Sequence, residues 1–137
     1  MSKVLGIIAE YNPFHNGHLY HLETSKKLTG ADYTVAIISG NFTQRGSTSI
    51  VDKWSKTKMA LENGIDLVIE LPVLYSISSA ENFADGAIKI LNSLGIVDYL
   101  SFGSEISDIS ILNNIANILY SEPEEYKKLL SIPQNFV

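Results

Sequence analysis

Four short apolar runs, spaced along the chain and separated by helical patterns, constrain the fold more than any other feature. They are Val4 to Ala9, Tyr33 to Ser39, Asp66 to Leu71 and the shorter Tyr99 to Phe102. A nearly continuous apolar strand is one covered on both faces, as in a parallel sheet held between layers of helix. Before the fourth run, Ala80, Phe83, Ala84, Ala87, Ile88 and Leu91 follow the steps of a single helix face. Ser78 and Glu81 have capping-box spacing ahead of it, and Gly95 offers its stop. A helix from Asn16 as N-cap toward Leu28, one marked by Ile111, Leu112, Ile115, Ile118 and Leu119 with Asp108 as N-cap, and a short one over Glu124 to Leu130 extend the pattern. Consecutive strands joined by helices run parallel. The sequence therefore predicts a three-layer α/β domain with a parallel sheet of at least four strands.

Composition narrows the function classes. The 137 residues contain no cysteine, which excludes disulfides, cysteine-based zinc sites and a cysteine nucleophile. No apolar run approaches the roughly 20 residues of a membrane helix, and the N-terminal run meets Glu10 too soon for a secretion signal. A cytoplasmic protein without a membrane partner is expected. The net charge of -5 is unevenly spread: residues 1–60 carry seven basic and four acidic groups, and residues 61–100 one basic and six acidic. An anionic partner is compatible with such a chain if it meets the N-terminal part.

The first turn concentrates the chemistry. Strand one runs into Glu10-Tyr11-Asn12-Pro13-Phe14-His15-Asn16-Gly17-His18, and all three histidines, His15, His18 and His21, fall here. Pro13 ends strand pairing. His15 and His18 then flank a helix N-terminus at the carboxyl edge of the sheet. Open α/β sheets bind ligands at that edge, and free N–H groups with the positive end of the helix dipole suit phosphate. Two other readings of these residues stay open. They are ordinary surface and core histidines, or they hold a metal, although steps of three fan the side chains over about 120° on a helix. Neither a G-x-G-x-x-G nor a G-x-x-x-x-G-K-[ST] motif is present.

The His-x-Gly-His turn resembles the signature of the nucleotidylyltransferase superfamily. Together with Ser-Gly-Asn-Phe-Thr-Gln-Arg-Gly at 39–46, Lys-Met-Ala-Leu at 58–61, Asp-Leu-Val-Ile-Glu-Leu-Pro at 66–72 and Phe-Gly-Ser-Glu at 102–105, it resembles the bacterial tRNA(Met) cytidine acetate ligases. The resemblance implies a Rossmann-like nucleotidylyltransferase fold of the HUP type. It implies that 1–137 is a single N-terminal ATP-binding domain, with 120–137 the start of a following region. It also implies an activity: ATP, as its magnesium complex, activates acetate to acetyl-adenylate, and the acetyl group passes to N4 of the wobble cytidine of elongator tRNA(Met). By the same resemblance the ATP contacts are Ile8, Ala9, Glu10, Tyr11, Asn12, Pro13, Phe14, His15, Asn16, Gly17, His18, Leu19, Tyr20 and His21, with Gly103.

By analogy with the superfamily, His15 and His18 are the expected catalytic pair, touching phosphate; their rings should be mainly neutral, since a helix N-terminus depresses a histidine pKa. Gly17 would leave room for the adenine ring. Glu10, Glu70 and Glu105 end strands at one edge and could organise magnesium or orient the histidines, or simply be exposed strand ends. No protein-held metal is expected. Arg45, Lys53, Lys56 and Lys58, opposed only by Asp52, are the candidate RNA or phosphate contacts, with Trp54 a possible stacking group. The alternative is a solvated helix face with Trp54 and Leu61 turned inward. A small-molecule nucleotidylyltransferase, or a nucleotide-binding module without turnover, would share the first turn.

Overall fold

The computed structural model describes residues 2–106 and 108–131. They fall into two compact units, Met1–Gly103 and Ser104–Val137. The first holds β1 (Val4–Ala9), α1 (Asn16–Thr29), β2 (Tyr33–Ser39), α2 (Lys53–Glu62), β3 (Leu67–Leu71), the short α3 (Val73–Ser76), α4 (Ala80–Leu94) and β4 (Tyr99–Ser101). The second holds α5 (Ile109–Ser121) and α6 (Glu124–Leu130). Among the described residues no helix is long and apolar enough to cross a membrane.

The four strands form one parallel sheet in the order β3-β2-β1-β4. The apolar runs are legible as strands because both faces of the sheet are covered. Leu5, Ile7, Ala36 and Ile38 pack with Leu22 of α1 and Ala60 of α2, whereas Val4, Val35, Ile37 and Leu71 pack with Ala87 and Leu91 of α4. Successive residues of β1 and β2 thus serve opposite faces, as the two-residue strand period requires. Gly6 lets α4 approach: a Cβ there would stand 2.9 Å from Leu91 Cδ1 and 3.1 Å from Val97 Cγ1.

Register is fixed at the amino edge by a device used three times. Asp32, Asp66 and Asp98 each immediately precede a strand. Each donates its N–H to the carbonyl of the residue opposite on the neighbouring strand, at 2.9, 3.1 and 2.9 Å. Each carboxylate then accepts that same residue's N–H: Lys3 at 2.8 Å, Thr34 at 2.7 Å and Val4 at 2.8 Å. These charge-assisted bonds fill amides that the ladder leaves open.

The predicted caps are partly corrected. Asp108 does cap α5, its carboxylate accepting the Ser110 N–H at 2.8 Å, and Gly95 does end α4 in the left-handed region at φ 66. Asn16 is not the N-cap of α1; it is the first helical residue, and His15 holds the cap position. Likewise Ser79, not Ser78, caps α4 by accepting the Asn82 N–H. α1 thus starts one residue earlier than the sequence assigns, and α4 one residue later.

Candidate functional site

The strand order explains where a site can form. From β1 the chain moves to β2 and β3 on one side, then crosses back to β4 on the other. The β1–β4 boundary is therefore the point at which the connections diverge, and the crevice outside the carboxyl ends of such strands is where open α/β sheets take ligands. An open cleft of about 690 Å³ lies there, lined from β1 and the first turn by Ile8, Ala9, Glu10 and Tyr11. His15, Gly17, His18, Tyr20, His21 and Thr24 line it from α1, and Phe102 and Gly103 from the end of β4.

The first turn is rigidly built. Tyr11 takes φ 47, an uncommon conformation for a residue with a Cβ. Its ring is buried and meets Phe14 and His18 edge-on, both at 4.8 Å between centroids. Burial pushes its hydroxyl pKa up to about 12. The Asn12–Pro13 bond is cis. His15 Nδ1 accepts the Gly17 N–H at 3.1 Å, and His18 Nδ1 accepts the His15 N–H at 3.3 Å. Two imidazoles thus close a capping box normally closed by hydroxyl and carboxylate side chains. With both Nδ1 atoms accepting, the bonding pattern assigns each ring proton to Nε2. Burial, then the charges of His15 and His21, lower the His18 pKa. Burial also lowers that of His21, whose Nε2 meets Ser101 Oγ at 2.9 Å. The rings present N–H donors beside the free amides of a helix N-terminus, an arrangement suited to phosphate oxygens.

Gly17 has a structural reason as well as a spatial one: a Cβ there would crowd the His15 ring at 3.0 Å. The three histidines take separate partners, and among the described residues no three His, Asp or Glu groups come together as a metal site.

Most of the expected nucleotide segment faces the cleft. Asn12, Pro13, Phe14, Asn16 and Leu19 do not line it. Asn12 Oδ1 instead accepts the Ile50 N–H at 2.7 Å, and Phe14 packs against the core. Thr24 and Phe102 line the cleft and were not anticipated. Thr24 lies two turns into α1, beyond the motif, and Phe102 reads as the end of a strand and the start of the 102–105 block, with no site role of its own.

The chain belongs to the HIGH nucleotidyl transferase family.

The model of that family matches residues 2–135. The chain is 66% identical over 127 residues to the tRNA(Met) cytidine acetate ligase of Thermoanaerobacter sp. (strain X514), and 63% identical over 128 residues to that of Acetivibrio thermocellus. Each match covers 93% of this chain, which spans about a third of the length of these curated relatives (32% and 31%). Among solved structures it resembles Thermotoga maritima TmcAL bound with alpha-thio ATP, with a TM-score of 0.85 and 50% identity over 92% of this chain and 31% of that one.

The basic segment of the chain departs from expectation at Lys56. Lys56 is fully buried, and its Nζ donates to Glu10 O at 3.2 Å, Ser39 Oγ at 3.3 Å and Ser49 Oγ at 3.1 Å. An ammonium with all three protons used inside the fold is not placed to contact RNA phosphate. Lys53 pairs with Glu70 at 2.7 Å, and Lys58 lies 3.8 Å from Glu62. Arg45 is exposed and makes no ion pair among the described residues. Trp54 is 75% exposed and Leu61 45%, so neither turns inward. Glu10 and Glu70 are engaged by protein donors, the Gln44 N–H and Lys53 Nζ. Glu105 belongs to the other compact unit.

Proposed function

We propose that the chain carries the nucleotide-activating part of an ATP-dependent acetate ligase that acetylates N4 of the wobble cytidine of elongator tRNA(Met). The observation that carries this reading is the pair of Nε2–H donors, His15 and His18, set at a helix N-terminus inside the cleft between β1 and β4. A carboxylate oxygen of acetate attacks the α-phosphorus of ATP. The bond from that phosphorus to the bridging oxygen breaks, and pyrophosphate leaves with the electron pair. Charge grows on the leaving group, where the two imidazole donors and the helix dipole stabilise it without reorganising. ATP enters as its magnesium complex, which lowers the charge the protein must meet. In the second step cytidine N4 attacks the acetyl carbonyl, AMP leaves, and N4 gives up a proton.

The nucleotide would lie along the Ile8–His21 segment and under Gly103. Support for acetate over a phosphomonoester acceptor comes from the similarity to curated acetate ligases. RNA contact falls to Arg45, with the charge-compensated Lys53 and Lys58 in support and Trp54 exposed beside Lys53, whose Nζ is 5.4 Å from the ring centroid. The test is to incubate the chain with ATP, acetate and tRNA(Met) and to assay acetyl-AMP and acetylated tRNA separately. Acetyl-AMP formation supports the reading. Pyrophosphate release with a phosphomonoester but not with acetate would replace it with a small-molecule nucleotidylyltransferase. ATP binding without any turnover would reduce it to a binding module.

A further inference from the structure

Lys56 is the one fully buried charged side chain among the described residues, and the cleft does not use it directly. Burial of an ammonium is costly unless each proton finds an acceptor and opposite charge lies near. Both conditions are met. Its three acceptors come from three separate segments. Glu10 O lies just past the end of β1, Ser39 Oγ belongs to the last residue of β2, and Ser49 Oγ lies in the 40–52 loop. Glu10 and Glu70 attract its charge, partly offsetting the burial that lowers its pKa.

The first acceptor matters most. Past the end of β1 the chain turns at Tyr11, where φ is positive, directly after the carbonyl that Lys56 holds. Ala9, Glu10 and Tyr11 all line the cleft. The Glu10 side chain is fixed independently, accepting the Gln44 N–H from the same loop. Asn12 Oδ1 accepts from Ile50 of that loop in turn. Lys56 thus sits where the nucleotide turn and the 40–52 loop are joined, behind the cleft wall rather than on it.

We propose that Lys56 is a positioning residue: its ammonium pins the Glu10 carbonyl, and so sets the path of the His15–His18 turn and locks the 40–52 loop onto it. The inference rests on the reading of this cleft as a nucleotide site. A residue that served packing alone would change stability and leave affinity for the nucleotide untouched.

The test measures ATP binding by calorimetry alongside thermal melting for the wild-type chain, Lys56→Met, Ser49→Ala, Ser49→Thr and Leu91→Val. Leu91 packs on the opposite face of the sheet and controls for lost stability alone. We expect Lys56→Met to lose about tenfold or more in ATP affinity, because the turn it holds is displaced. Leu91→Val should melt earlier yet bind ATP within about twofold of wild type. Ser49→Ala should weaken binding severalfold, and Ser49→Thr, which keeps the hydroxyl, should restore it. If Lys56→Met does not fold, the Ser49 pair decides. Wild-type-like ATP affinity in a folded Lys56→Met, or equal affinity in Ser49→Ala and Ser49→Thr, overturns the positioning role. Absence of ATP binding by the wild-type chain overturns the nucleotide reading itself, and the inference with it.

Discussion

The rings of His15 and His18 stack at 3.7 Å, 24° from parallel, while the His15 N–H bonds to His18 Nδ1. The same two residues therefore start α1 and furnish the donors that face the cleft. Capping and chemistry can be separated by substitution. His15→Ala should lower stability by about 1 kcal/mol through the lost cap. It should also cut acetate-dependent ATP turnover by about 100-fold or more. His15→Asn keeps a good capping oxygen, so its melting temperature should stay close to wild type while turnover still falls. Pyrophosphate release and thermal melting, measured together, check both halves; normal turnover in either variant removes His15 from the chemistry.

The His18 pKa is lowered in the fold, mainly by burial. The neutral ring is also the one whose Nδ1 can accept the His15 N–H. The unfolded chain thus takes up this proton first as pH falls. The contribution to stability is complete above the unfolded value of about 6.5 and is lost as pH falls from there through the folded value. Urea midpoints measured from pH 7.5 down to 5 should decline, and His18→Ala should flatten that decline. An unchanged slope would show that His18 does not contribute.

Asp98 accepts the Val4 N–H at 2.8 Å and donates its own N–H to Val4 O. Removing the carboxylate leaves a strand amide without its charged acceptor. Asp98→Ala should cost about 1–3 kcal/mol in urea unfolding, with Asp98→Asn, which retains an acceptor oxygen, milder. A loss below about 0.5 kcal/mol for Asp98→Ala would mean that water replaces the clamp without penalty.

Trp54 is the sole tryptophan of the chain and is exposed. Its emission should be that of a solvated indole, open to quenching by iodide. If RNA bases stack on it, tRNA(Met) should quench the emission and protect it from iodide, and Trp54→Ala should weaken binding about tenfold. Arg45→Ala should reduce the salt slope of binding by about one. Unchanged emission at saturating tRNA would place the RNA elsewhere.

The strands and the turn after β1 were legible because each leaves a local mark: apolar runs for doubly covered strands, and histidine, glycine and proline clustered after the first of them. What lay hidden depended on burial, which a sequence does not print. Lys56 reads like its neighbours Lys53 and Lys58, yet the ends of β1 and β2 and the 40–52 loop close over it. Trp54 reads either as a stacking group or as a core residue; it stands in solvent, since α2 turns Lys56 and Ala60 toward the sheet instead. The clamps at Asp32, Asp66 and Asp98 did leave a signal, an aspartate immediately ahead of three successive strands. Its meaning appears only once each partner strand is known.

Those clamps all sit at the end of the sheet away from the cleft. Strand alignment is thereby decided on one side of the domain, and the cleft opens on the other. Loops at the cleft end can be exchanged or lengthened while the alignment of the scaffold is carried by other residues. The amino edge acts as a foundation that holds the strands in place whatever the turns at the other end do.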